Sequence, residues 1–64
     1  MSNVSYAQVL NILRGWIGTT AQKYRQWDQT YNNVDPPPSP EYQTNDEVLA
    51  QYIADHYTGP PIPS

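Results

Sequence analysis

A chain of 64 residues with 14% charged residues, a net charge of −3 and no cysteine has room for one small domain. Disulfides are excluded, and a single histidine without cysteine excludes a structural zinc site of the ordinary kind. A chain near this length buries only about 60% of its unfolded surface, so helix packing, oligomerisation or a partner has to supply the stability.

The first element opens on a helix-start signal. Ser5 is placed to cap, Gln8 stands at the reciprocal N3 position, and Val4 and Val9 occupy the two ends of a hydrophobic staple. Tyr6, Leu10, Leu13, Ile17, Thr20, Tyr24, Trp27 and Tyr31 then follow at steps of four and three, a heptad seam with Thr20 as its one clearly polar member. Val9, Ile12 and Trp16 widen its first half. Gly15 and Gly18 oppose an unbroken rod, each costing roughly 1 kcal/mol against alanine inside a helix. Gly18 also fits the end of one helix, with Thr19 and Gln22 forming a second capping box. Because the seam keeps its phase across both glycines, the spacing predicts one helix over about 5–31, kinked near Gly18.

Asn32 and Asn33 stop that helix, and Asp35, Pro36, Pro37, Pro38, Ser39 and Pro40 cannot continue it. The composition over 32–44 predicts a stiff polyproline spacer. Pro37 and Pro40 make a PxxP match for an aromatic-lined groove, although no Arg or Lys follows Arg25 to set its orientation. The prolines also suit an internal use, stacked on Trp16, Trp27 or Tyr24.

Thr44 with Glu47 reads as the next capping pair, and Asp46 adds negative charge to the first turn. Val48, Leu49, Tyr52, Ile53, His56 and Tyr57 repeat at helical steps, predicting a helix over about 45–57. Thr58, Gly59, Pro60 and Pro61 end it and lead into an extended proline-rich tail over 58–64. The expected fold is all-α, a single 1–64 domain of two helices joined by the spacer.

All three basic residues, Arg14, Lys23 and Arg25, lie in the front half, whereas five of the six acids follow residue 33. That asymmetry favours the second helix folding back on the first, or pairing between copies. Three basic residues and a pI near 4.5 are too few for phosphate neutralisation, which argues against nucleic acid as a partner. A mean hydropathy of −0.77 and apolar runs broken by Asn11, Arg14 and Gly15 give neither a membrane span nor a secretory leader, so a soluble chain is expected and its compartment stays open.

Catalytic chemistry has little to stand on. His56 and Asp55 are adjacent, and neighbouring helical residues point about 100° apart. Asp46 and Glu47 sit where first-turn acids belong in any helix. No catalytic set, cofactor site or metal site is expected. Two Trp and six Tyr without Phe instead suit surfaces that are wet alone and dry when bound. The expected contact residues are Trp16, Tyr24, Trp27, Tyr31, Pro37 and Pro40, with burial of the aromatics against Tyr52 and Ile53 as the internal alternative. The functional expectation is a non-catalytic structural or adaptor protein that binds a protein partner or its own copies within an assembly. In composition alone it resembles small accessory virion proteins such as capsid-stabilising or tail-joining components. The alternative is a small regulator or inhibitor of one enzyme or transcription factor.

Overall fold

Ser5 caps the first helix as its position requires, with extended backbone and its hydroxyl accepting from the Gln8 amide at 3.1 Å. The computed structural model of the chain describes residues 3–63; Met1, Ser2 and Ser64, the ends of the expected domain and tail, lie outside that range. Helix α1 spans Tyr6–Arg14, α2 spans Thr20–Thr30 and α3 spans Asp46–His56, with a short 3-10 turn over Pro40–Gln43. The described residues are helical and contain no strand, only one antiparallel bridge between Val34 and Tyr57.

The long helix over 5–31 is therefore two helices, broken over 15–19. Gly18 adopts φ +132, a backbone that side-chain-bearing residues rarely take, and a Cβ there would stand 2.6 Å from Gln22 Oε1. That oxygen accepts from the Thr19 amide at 2.9 Å while Thr19 Oγ1 accepts from the Gln22 amide at 3.2 Å, a complete capping box. Local chemistry at Gly18, Thr19 and Gln22 thus overrides the continuous heptad phase. The phase is a coincidence between two helices: Leu10, Leu13 and Trp27 of the expected seam are buried, whereas Ile17 is 100% exposed.

Asn32 and Asn33 end α2 with φ 55 and 66, the left-handed conformation asparagine tolerates best after glycine. Beyond them the chain is stitched to the end of α3. The Asn33 carbonyl accepts from the Thr58 amide at 2.7 Å, and the Asp35 amide donates to the His56 carbonyl at 3.1 Å. Gly59 completes this junction, because a Cβ there would lie 2.6 Å from both Asn33 Nδ2 and Tyr57 Oη. The proline segment likewise is docked against the fold. Pro38 is buried, Tyr52 Oη donates to the Pro36 carbonyl at 2.6 Å, and Gln43 Nε2 donates to the Pro38 carbonyl at 2.9 Å. The segment is held by hydrogen bonds from Tyr52 and Gln43 to its carbonyls, a different attachment from the expected stacking on Trp16, Trp27 or Tyr24.

Asn45, not Thr44, caps α3, its Oδ1 accepting from the Val48 amide at 2.9 Å. Thr44 still has helical backbone at the end of the 3-10 turn and so is not in the extended conformation a cap needs. Helix α1 packs chiefly on α3, burying Val9, Leu10 and Leu13 against an apolar set that includes Leu49, Ala50 and Ile53; Trp27 is the buried residue of α2. Val4, the other end of the staple, is buried with them.

Among the described residues the separation of charge between the two halves produces one close ion pair. Lys23 Nζ lies 2.7 Å from Asp46 Oδ2, with side chains only 12% and 18% exposed, and Thr20 Oγ1 donates to Asp46 Oδ1 at 2.9 Å. The Lys23 hydrogen bond, helped by Thr20 and by the positive charges of Lys23 and Arg14, holds the Asp46 carboxyl below its usual value against the opposing effect of burial. A carboxyl depressed on folding contributes stability that is complete above its unfolded pKa and lost as pH falls through its folded one. Denaturant titrations are therefore expected to show stability falling below about pH 4. Asp46→Asn is expected to cost about 1 kcal/mol at neutral pH and to flatten that acid limb.

Candidate protein-binding surface

The aromatic residues divide between core and surface according to the helix that carries each. Trp27, one turn from the end of α2, is 0% exposed, and the rings of Trp16, Tyr31 and Tyr57 surround it at centroid distances of 6.4, 4.5 and 6.1 Å. The contacts with Trp16 and Tyr57 are edge-on, a favoured geometry for aromatic quadrupoles. Trp27 Nε1 is buried without a hydrogen-bond acceptor. Of the expected contact residues Trp27 is thus withdrawn from the surface altogether, since a small domain spends its largest side chain on its own core.

Trp16, Tyr24 and Tyr31 are half-buried at the edge of that core. Trp16 and Tyr31 stack at 6.5 Å with 24° between their planes. Burial first, then Asp28 and Tyr52, pushes the Tyr24 phenol above its usual value. Pro37 and Pro40 are exposed, with the buried Pro38 between them. Trp16, Tyr31 and Trp27 therefore come together, Tyr24 joins the same core edge, and the two prolines stand in the segment held against α3 by Tyr52.

Ile17 carries a surface signal that the periodicity concealed. It stands fully exposed between Trp16 and Gly18, in a turn fixed on one side by the Trp16 amide donating to the Leu13 carbonyl at 3.1 Å and on the other by the Thr19–Gln22 box. The two glycines bracketing Trp16 and Ile17 were the sequence feature able to reveal it. An open groove of about 600 Å³ lies over α1, lined by residues including Tyr6, Leu10, Arg14 and Pro63, and Gln8 Nε2 fixes the tail beside it by donating to the Ile62 carbonyl at 2.5 Å.

A second depression, of about 330 Å³, runs along α3 and is lined by Tyr42, Val48, Gln51, Tyr52, Asp55 and His56. Tyr52 stacks on His56 at 4.0 Å and meets Tyr42 in a tilted contact at 4.6 Å. Burial first, then Tyr42 and Asp35, raises its phenol above the usual value, and its hydroxyl donates to the Pro36 carbonyl. His56 Nδ1 lies 2.9 Å from the Tyr52 carbonyl. Among the described residues no three His, Asp or Glu side chains are grouped to hold a metal ion, and no helix is long and apolar enough to cross a membrane. Compared with protein-family models, curated proteins and solved structures, the chain shows no match.

Proposed function

We propose that this chain is a non-catalytic adaptor that binds a protein partner within a larger assembly, presenting Ile17 to an apolar pocket of that partner. The observation that carries the reading is the wholly exposed Ile17 on a fixed turn beside the half-buried Trp16–Tyr31 stack. A lone exposed apolar residue is ordinary on a protein surface. Ile17 differs in standing at the apex of a constrained turn next to aromatic edges of the kind that anchor interfaces. Pro37 and Pro40 remain exposed for contact in the same reading. The assembly we propose is a viral particle in which the chain is a minor component, a setting supported by composition alone.

Native mass spectrometry of the protein purified from its source tests this directly. A fixed stoichiometry within a large particle supports the reading, a reversible one-to-one complex transfers it to a regulator, and a monomer with no co-purifying protein ends it. Ile17→Asp is expected to leave stability within about 0.5 kcal/mol of the parent, because nothing is unpacked. The same substitution is expected to weaken partner binding at least tenfold, a loss of about 1.4 kcal/mol, by placing a charge in the receiving pocket.

A further inference from the structure

The depression along α3 has a polarity of its own. Val48 and His56 lie eight residues apart, about 12 Å along the axis at 1.5 Å per residue. The Val48 end is apolar, with Tyr42 and Val48 both exposed. The other end carries Asp55 and His56 in the last turn of the helix, where the backbone dipole is negative. A carbonyl only accepts, so in the neutral His56 ring the contact with the Tyr52 carbonyl places the proton on Nδ1 and leaves Nε2 as an acceptor. Asp55 accepts from Gln51 Nε2 through Oδ1 at 3.0 Å, leaving Oδ2 able to accept from a ligand. No Lys or Arg lines the depression, and the back half of the sequence to which it belongs carries five acids and no Lys or Arg.

We infer that this trough seats an arginine side chain of a basic partner protein, its stem along Tyr42 and Val48 and its guanidinium at Asp55 and His56. The shape and chemistry match in sequence: an apolar stem over the walls of Tyr42 and Val48, then a planar cation beside the His56 ring and two acceptors. Arginine suits this better than lysine, because its fork meets two acceptors at once and stacks on aromatic planes. The trough does not include Ile17, so this inference stands or falls independently of the reading above.

Titration of the labelled full chain with acetyl-arginine methylamide, followed by amide NMR shifts, tests it. Saturable shifts confined to Tyr42 and 48–56, with a dissociation constant on the order of 1 mM, are expected for one side chain. The neutral isostere acetyl-citrulline methylamide is expected to give no saturable shift. Asp55→Asn is expected to weaken the arginine probe about fivefold, and Tyr42→Leu about threefold. Equal binding of the citrulline probe, equal binding of the matching lysine probe, or shifts elsewhere in the chain would each overturn the assignment.

Discussion

Trp27→Ala is expected to leave the chain mostly unfolded at 25 °C. Replacing a buried tryptophan by alanine costs about 3–5 kcal/mol. A core in a domain of this size rarely supplies more than about 3–5 kcal/mol in total. Trp27 is fully buried among Trp16, Tyr31 and Tyr57, so no neighbour closes the gap without abandoning its own ring contacts. Far-ultraviolet circular dichroism and a denaturant titration check this. Trp27→Phe gives the sharper comparison, because it keeps an aromatic ring and removes an indole N–H that is buried without an acceptor. Losing that unsatisfied donor offsets part of the lost volume, and the net cost is expected to be about 1–2 kcal/mol. A variant Trp27→Ala that melts cooperatively near the parent temperature would show that the aromatic cluster is not what holds α2 to the fold.

Gly18→Val is expected to cost about 2–3 kcal/mol. A left-handed backbone penalises a β-branched residue by roughly 1–2 kcal/mol, and loss of the cap below it adds about 1 kcal/mol. The cap is weakened because the new Cβ would stand 2.6 Å from Gln22 Oε1 and push it from the Thr19 amide. Gly18→Ala is expected to cost less, because it adds the same Cβ against Gln22 Oε1 without the branched γ-carbons of valine. Denaturation midpoints measured on both variants separate backbone strain from steric loss. If Gly18→Val instead raised the helix content and the stability, the uninterrupted 5–31 helix would be the preferred state of this sequence.

Local signals in the sequence were legible where a single residue type satisfies a single backbone group. Ser5, the Thr19–Gln22 pair, Asn32 with Asn33, and the acids Asp46 and Glu47 at the start of α3 all stand where the chemistry of helix ends places them. The spacing predicts one kinked helix over 5–31 because two helices separated by five residues happen to preserve a four-and-three spacing. Periodicity measures which residues repeat; it does not measure whether the backbone between them is helical. Thr44 and Asn45 are both good caps, and only the 3-10 turn before them decides which one has the extended backbone.

The surface was harder to foresee than the core. Trp27 and Ile17 belong to the same apparent stripe, yet one is sealed and the other wholly exposed. Tyr52 illustrates the difficulty from the other side: its ring forms part of the α3 trough while its hydroxyl holds Pro36. That double duty depends on the proline segment folding against a helix that follows it in the chain. The charge asymmetry gave the partial clue, since it anticipated that the acidic half returns to the basic one, and Lys23 meets Asp46 where it does.

The hydrogen bonds from Asn3 Nδ2 to the Gly59 carbonyl and from Gln8 Nε2 to the Ile62 carbonyl bring the stretch that enters α1 beside the stretch that leaves α3. A short linker joining the backbone near Asn3 to that near Ile62 would close residues 3–62 into a ring, and new ends opened between Trp16 and Ile17 would interrupt no helix. The order in which the helices are connected is thus separable from the way they pack, and a circular version would keep the same interior while restricting the unfolded chain.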